Sequence, residues 1–145
     1  NAFVASFLGN SNFLRIKANG NGAGSFEGQS VAIRLTPGLS QDQDALIMVR
    51  PEKALALTAQ QTAEQPLPAG WNEVSATVGE VLFLGESQTC HVVTAGGTSL
   101  TVKALSAAGM PMQPGDTVKV RWAVADACIY TQWAESDLSK SAGAH

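Results

Sequence analysis

Two stretches of the sequence echo one another: Gly28–Leu35 reads GQSVAIRL and Gly115–Trp122 reads GDTVKVRW. Both run in the order glycine, polar residue, hydroxyl residue, valine, variable residue, isoleucine or valine, arginine and large apolar residue. A second pair, Phe7–Ser11 (FLGNS) and Phe83–Ser87 (FLGES), precedes them in the same order. Two matches in one order predict an internal duplication of the chain.

The duplication predicts two related units, at residues 3–58 and 74–133. Between them, residues 59–73 are expected to form a linker or exposed excursion, because this stretch is rich in Gln, Ala and Pro. Residues 134–145 are small and polar and are expected to form a flexible tail. Units of this size are marginal alone, so we expect the two to share a core or to exchange strands.

Short apolar segments that alternate or are β-branched, separated by Gly and Pro turn signals, predict strands along the whole chain. We expect these strands at Val4–Leu8, Phe13–Ala18, Ser30–Thr36, Ala45–Val49, Leu55–Thr58, Thr77–Leu84, Thr89–Ala95, Ser99–Ala104, Thr117–Ala123 and Ala127–Gln132. Asn19–Gly28 is interpreted as a flexible hairpin tip, and Gly96-Gly97 as a two-residue hairpin turn. The predicted fold class is all-β, with two small OB-like barrel units from an internal duplication and little helix.

The composition limits the classes of function. Hydrophobic residues make up 45% of the chain and charged residues 14%, which is typical of a globular domain. The net charge of −3 argues against a nucleic-acid partner, and no apolar run is long enough to span a bilayer. Cys90 and Cys128 are too few for a disulfide framework or a zinc site, so we expect free thiols in a reducing compartment. The chain opens inside a strand-like segment, which indicates a fragment of a longer protein.

No motif with catalytic chemistry is visible. The phosphate-binding pattern Gly-x-x-x-x-Gly-Lys-Ser/Thr, the nucleophile elbow and the zinc helix are all missing from the sequence. His91 lies beside Cys90 in a predicted strand, where neighbouring side chains point to opposite faces and do not share a metal. We therefore predict no catalytic, ATP-binding or metal-binding residues and no cofactor in this fragment.

One local motif stands out at the end of a predicted strand: Arg50, Pro51 and Glu52. The proline fixes its own φ and keeps the preceding arginine extended, so two opposite charges flank a rigid corner. Two interpretations remain open. The corner is an ion pair that locks one barrel to its neighbour, or it is a contact point for a partner domain.

Several predicted loops are rich in Gly, Ser and Thr, whose amide and hydroxyl groups can hold an anion. The possible ligand residues in these loops are Ser11, Asn12, Ser87, Thr98 and Ser99. They support an alternative function, a β-domain that senses a small oxyanion or a polyamine. A polyamine needs carboxylates with aromatic walls, and Glu27, Asp42 and Asp44 are the candidates for that role.

Four segments together resemble a known family. Phe3–Asn12 resembles the segment that follows the nucleotide-binding domain in ATPase subunits of bacterial ABC importers. Val49–Glu52 is similar to that family's Arg-Pro-Glu signature, Val78–Gly85 to its Val-x-x-Val-x-aromatic-Leu-Gly strand, and Pro114–Trp122 to its closing Gly-Asp-x-Val strand. The family is the transport-associated OB domain, abbreviated TOBE. Among its members the chain looks most like those of polyamine (spermidine/putrescine) importers and their ferric-iron and 2-aminoethylphosphonate relatives.

The resemblance implies the regulatory C-terminal domain of a cytoplasmic ATP-binding subunit, peripheral to the inner membrane through its transporter complex. The parent would work as a homodimer beneath a membrane permease. ATP and Mg²⁺ would bind the N-terminal nucleotide-binding domain of the same chain, and this fragment would not be an enzyme. Arg50, Pro51 and Glu52 match the signature and are carried over as structural or interface residues.

Overall fold

A computed structural model of the chain describes residues 11–34, 39–84, 87–104 and 112–133. Within these ranges the protein consists of strands, a short α-helix and two 3₁₀ turns, which confirms the predicted all-β class. The strands are β1 (Asn12–Ala18), β2 (Ala23–Phe26), β3 (Gln29–Ala32), β4 (Asp44–Val49), β5 (Leu55–Leu57), β6 (Trp71–Leu84), β7 (Ser87–Val93), β8 (Ser99–Ala104), β9 (Thr117–Ala123) and β10 (Cys128–Tyr130). The helix α1 is Ala59–Glu64, and the 3₁₀ turns are Pro51–Lys53 and Val124–Asp126.

The first sheet is antiparallel and has the strand order β10-β4-β1-β2-β3. Its central strand β1 shows the alternation of a strand with one buried face. Leu14, Ile16 and Ala18 are buried in the core, whereas Arg15 and Lys17 between them are exposed.

The second sheet is a closed barrel with the order β5-β8-β7-β6-β9. Strand β5 closes it by pairing parallel with β8 and antiparallel with β9. The first half of β6 pairs with β9 and its second half with β7, with a register shift between Val78 and Glu80. Such an irregularity bends a strand and increases its twist, as a small barrel requires.

The two sheets are built on one plan, with β1 to β4 corresponding to β6 to β9. In each sheet the fifth strand comes from the other half of the chain. Strand β5 follows β4 but pairs with β9, and β10 follows β9 but pairs with β4. The two halves are therefore joined by a reciprocal exchange of strands.

Local backbone geometry repeats at the corresponding positions. Asp42 and Gly115 each lie two residues before the corresponding strands β4 and β9, and both have positive φ, 63° and 93°. After those strands, the amides of Ala54 and Ala127 close the two 3₁₀ turns with hydrogen bonds of 3.2 Å each. The duplication therefore extends to the turns as well as the strand order.

The strands that correspond in the two halves of the structure are not the ones that the matching sequence segments had paired. Gly28–Leu35 contains β3 and Gly115–Trp122 contains all of β9 but its last residue, and the strand that corresponds to β9 is β4. In the other echo, Phe83–Ser87 spans the β6–β7 connection, and its counterpart lies mostly outside the described residues. The two segments match because half-buried strands favour the same residue types, so similar short sequences recur in strands that are not equivalent.

Strand β2 lies inside the segment that was interpreted as a flexible hairpin tip, and that interpretation is wrong. Its composition of Ala23, Gly24 and Ser25 hides the strand, because small residues lack β-propensity. The packing explains the glycine. A Cβ atom at Gly24 would lie 3.0 Å from both Ile16 Cδ1 and the carbonyl oxygen of Lys17.

The predicted excursion at 59–73 is also more ordered than its composition indicates, since it begins with α1. Thr58 and Gln61 form a capping box, in which the Thr58 hydroxyl accepts the Gln61 amide at 3.1 Å. The Gln61 side chain accepts the Thr58 amide at 2.9 Å. The same predicted linker runs into β6, which begins at Trp71 rather than at Thr77.

The strand pairing crosses the boundaries of the two predicted units. Residue 58 was placed at the end of the first unit, but β5 is hydrogen-bonded within the barrel of the second. The predicted strand Val4–Leu8 and the tail at 134–145 lie outside the described residues. Division into two units stays a prediction, and the exchange of β5 and β10 is the feature that any such division has to accommodate.

The larger of two hydrophobic clusters in the described residues joins the two sheets. It includes Leu14 and Ile47 from the first sheet and Val74, Val120 and Trp122 from the barrel, all nearly inaccessible to solvent. In the part of the chain that the structure describes, no helix has the length and apolar character needed to cross a bilayer.

Candidate functional site

The Arg50-Pro51-Glu52 corner begins the first 3₁₀ turn, which Arg50 precedes in an extended conformation, and leads from β4 into β5. Arg50 Nε lies 3.0 Å from Glu52 Oε2, and the two side chains are 55% and 58% exposed. The pKa of Glu52 is lowered, first by a hydrogen bond from its own backbone amide and then by the Arg50 guanidinium. The charged ends therefore face solvent, where an ion pair adds little to stability.

The backbone of the same corner is fixed against the barrel. The amide of Lys103 on β8 donates to the carbonyl oxygen of Ala54 at 2.8 Å. Pro51, Glu52, Thr89, Val102 and Lys103 line a partly enclosed groove between the corner and the barrel wall. The corner thus combines a locked backbone with two exposed, opposite charges.

Asn12, at the start of β1, clamps the first sheet to the barrel. Its Oδ1 accepts the amide of Thr101 at 2.7 Å, and its Nδ2 donates to the carbonyl oxygen of Thr101 at 2.8 Å. Asn12 is only 3% exposed. One side chain thus satisfies both backbone groups of a residue on β8.

Asn72, on β6, makes the reciprocal clamp from the barrel to the first sheet. Its Oδ1 accepts the amide of Ala32 on β3, and its Nδ2 donates to the carbonyl oxygen of Ala32, both at 2.8 Å. Asn12 pairs in register with Val49, and Asn72 pairs with Trp122. Val49 and Trp122 each lie two residues before the first residue of a 3₁₀ turn. The two asparagines therefore occupy equivalent positions of the duplication.

A third contact between the halves is made by Glu27, at the tip of the β2–β3 hairpin. Its carboxylate accepts the hydroxyl groups of Thr94 at 2.7 Å and of Thr98 at 2.8 Å, and the amide of Gly96 at 3.0 Å. Partial burial raises the pKa of Glu27, but these hydrogen bonds outweigh it and hold the pKa below its ordinary value. The carboxylate is therefore bound in its charged form.

The loop that holds Glu27 is longer than the predicted two-residue turn. Strand β7 ends at Val93 and β8 begins at Ser99, and the amide of Gly97 donates to the carbonyl oxygen of Thr94 at 3.0 Å. Gly97 has φ 91°. A turn followed by a glycine of positive φ is the common three-residue hairpin loop, and it requires one such glycine rather than two.

The predicted ligand residues have different surroundings. Ser11 and Asn12 are buried at the start of β1, and Thr98 binds the Glu27 carboxylate. Ser99 is exposed at the start of β8, and the backbone of Ser87 pairs with that of Leu84. Within the described ranges, Thr98 donates to the Glu27 carboxylate, and Asn12 binds the backbone of Thr101 on β8.

The three candidate carboxylates for a polyamine each have a separate local role. Glu27 is bound by the β7–β8 loop, and Asp44 pairs with Lys17 at 2.9 Å. Asp42 occupies the turn of positive φ before β4, where its amide bonds the carbonyl oxygen of Ala18. In the described part of the chain, no three His, Cys, Asp or Glu side chains are grouped as a metal site would need.

Comparison with known proteins identifies the family to which the chain belongs. Residues 47–129 match the TOBE domain family, and this match includes the Arg50-Pro51-Glu52 corner, the barrel and both 3₁₀ turns. The chain belongs to the TOBE domain family. The predicted family is therefore confirmed, and the OB-like barrel is the fold of this TOBE domain.

Two relatives are similar over most of this TOBE domain. It is 28% identical over 125 residues to the spermidine/putrescine import ATP-binding protein PotA of Mesorhizobium japonicum, covering 81% of this chain and 31% of the relative. It is 32% identical over 126 residues to PotA of Rubrobacter xylanophilus, covering 84% of this chain and 32% of the relative. The chain therefore spans about a third of the length of the curated relatives it matches.

The fold also occurs in a solved structure, the cytoplasmic molybdate-binding protein ModG with molybdate bound. The TM-score is 0.70 with 16% sequence identity, and the match covers 83% of this chain and 96% of that chain. At this identity the likeness establishes the shared fold.

Proposed function

We propose that this TOBE domain is the regulatory, accessory C-terminal domain of the ATP-binding subunit of a bacterial ABC importer of the polyamine type. The observation that carries the proposal is the similarity to two import ATP-binding proteins, which covers 81% and 84% of this chain. It covers only 31% and 32% of those relatives. Because this sequence has no Gly-x-x-x-x-Gly-Lys-Ser/Thr loop, ATP and Mg²⁺ would bind outside it, in an N-terminal nucleotide-binding domain.

In this proposal the domain is a cytoplasmic brace, held near the inner membrane by the permease above the ATPase homodimer. The reciprocal strand exchange and the two asparagine clamps support a brace, because they join both halves of the domain, the first by hydrogen bonds between strand backbones and the second by hydrogen bonds from side chains to backbone groups. Arg50 and Glu52 are the side chains proposed to contact the neighbouring domain. Their exposure and their opposite charges on a fixed backbone suit a polar contact.

The test uses the full-length ATP-binding subunit with Arg50→Ala and Glu52→Ala combined. Asp126→Ala is the matched control, since Asp126 is an exposed acid in the equivalent turn of the other half. We expect the double variant to weaken the ATPase dimer several-fold in sedimentation and to change the ATP hydrolysis rate, with the control unaffected. Equal dimer constants for all three proteins would contradict the proposed role of the corner.

The reading frame upstream of Asn1 tests the broader proposal. A continuous frame that encodes a Gly-x-x-x-x-Gly-Lys-Ser/Thr loop supports a transport ATPase. A start codon next to Asn1 contradicts it.

A second candidate function is the sensing of a small ligand, an oxyanion or a polyamine. The observation that favours an oxyanion is the donor set of the β7–β8 loop, whose two hydroxyl groups and one amide already hold a carboxylate. ModG, which shares the fold, is described as molybdate-binding. Calorimetry with molybdate, phosphate, sulfate, putrescine and spermidine tests this function, and no heat of binding at millimolar ligand would exclude it.

A further inference from the structure

The loop Thr94–Thr98 has the geometry of an anion site. Three donors converge on one carboxylate: two threonine hydroxyl groups at 2.7 Å and 2.8 Å and the Gly96 amide at 3.0 Å. The donors are 67 to 71 residues from Glu27 along the chain, so the contact is purely tertiary. Charge-assisted hydrogen bonds of this kind are the stronger ones in proteins.

Gly96 leaves the space that the carboxylate fills. A Cβ atom at Gly96 would overlap Glu27 Cδ and would lie 2.5 Å from Glu27 Oε2. The positive φ of this loop belongs to Gly97, at 91°, and not to Gly96. The two adjacent glycines thus have different causes: Gly97 shapes the turn, and Gly96 makes room for an anion.

Glu27 is held in a conformation that its residue type disfavours. It has φ 50° and is followed by Gly28 with φ 82°, in a two-residue turn whose flanking residues Phe26 and Gln29 pair. Such a turn prefers Asn, Asp or Gly at its first position. The contact with the Thr94–Thr98 loop gives a physical reason for a glutamate there.

We propose that the Thr94–Thr98 loop is a carboxylate-binding site that Glu27 occupies in cis. Its ligand class is a small monocarboxylate, which enters when the Glu27 side chain is removed. A tethered group has an effective concentration in the millimolar range or above, so Glu27 excludes dilute carboxylates from the intact protein. This site does not depend on the transport role, and it uses the same β7–β8 loop donors as the proposed sensing function.

The experiment is an acetate titration of the 145-residue chain, followed by the backbone amide NMR signals of Gly96 and Thr98. Glu27→Gly is the main variant, because glycine suits φ 50° and keeps the hairpin turn. Sodium chloride at matched ionic strength is the reference. The control variant carries Glu27→Gly together with Gly96→Ala, whose added methyl group fills the site.

We expect acetate at up to about 100 mM to shift both signals in Glu27→Gly, with at least a tenfold weaker response in the wild type. The response should disappear in the control variant. The proposal is overturned by a Glu27→Gly response no larger than that to chloride, by an equal response in the wild type, or by a response that survives Gly96→Ala. If Glu27→Gly does not fold, Glu27→Asn replaces it, since asparagine also suits the turn.

This titration separates the site from the sensing function. Binding of acetate by Glu27→Gly together with a wild type that binds no oxyanion supports the carboxylate site and excludes the sensor. Failure of Glu27→Gly to bind acetate removes the carboxylate site and leaves the accessory role in transport as it was.

Discussion

Replacing the clamp asparagines tests whether side chains, rather than apolar packing alone, hold the two halves together. Each clamp makes two hydrogen bonds of 2.7 to 2.8 Å, and Asn12 and Asn72 are 3% and 6% exposed. A typical intramolecular hydrogen bond contributes about 1 kcal/mol, so each alanine variant is expected to lose about 2 kcal/mol of unfolding free energy. Asn12→Ala should lose more unfolding free energy than Asn72→Ala. Thr101 is half-buried, so its freed backbone groups reach water less easily than those of the exposed Ala32.

Aspartate at the same positions sharpens this test. It keeps the size of asparagine but cannot donate to the carbonyl oxygen, and it places a negative charge against that oxygen. Asn12→Asp and Asn72→Asp are therefore expected to destabilise the protein at least as much as alanine at neutral pH.

Urea unfolding with linear extrapolation is the assay, with Asn21→Ala at an exposed loop position as the control. Clamp variants within about 0.5 kcal/mol of the control, or aspartate variants more stable than the alanine ones, would refute the reasoning.

Three further predictions concern other polar groups. Arg121 Nε lies 2.7 Å from Glu73 Oε2, and the two side chains are 6% and 23% exposed. Glu73→Ala should cost about 3 kcal/mol of stability, which is more than Arg121→Ala costs, because it leaves the buried Arg121 charge without its partner. Thermal unfolding of both variants would show which is the less stable. Cys90 is fully buried and its pKa is raised by burial, so a thiol reagent should label the half-exposed Cys128 first, as mass spectrometry after partial labelling would reveal. The folded-state pKa of Glu27 lies below its ordinary value of 4.5. The contribution of this carboxylate to the stability of the fold is therefore complete above pH 4.5 and is lost as the pH falls through the folded-state pKa. The difference in unfolding free energy between wild type and Glu27→Gln should shrink at acidic pH, and a constant difference would contradict this.

Two strands with a clear alternation were predicted to the residue. The predicted bounds of β8 and β9 are those of the structure, since each has a regular apolar period and follows a Gly-Gly or Pro-Gly turn signal. Strand β2 was not predictable, because Gly24 is there to fit against Ile16, which is a tertiary cause. Helix α1 carries a local signal, the Thr58–Gln61 capping box, which a search for caps would find despite the absence of an apolar stripe.

The candidate site was predictable in part. Its polar loop residues Asn12 and Thr98 were singled out as ligand residues, and in the structure both bind groups of the protein itself. Asn72 was missed because residues 59–73 were predicted to be a linker, whereas in the structure β6 begins at Trp71. Glu27 carried a weaker signal as a glutamate in the Glu-Gly position of a hairpin turn.

The sequence by itself determined the regularly alternating strands, the all-β class and the family, because these depend on local periodicity, turn residues and short motifs. Only the tertiary structure decided which strands pair, so that β5 and β10 exchange between the halves and the repeat register differs from the echo. It also decided that Glu27 fills the Thr94–Thr98 loop. Pairing and loop occupancy join residues far apart in the chain, and their free energies depend on distances that no local pattern encodes.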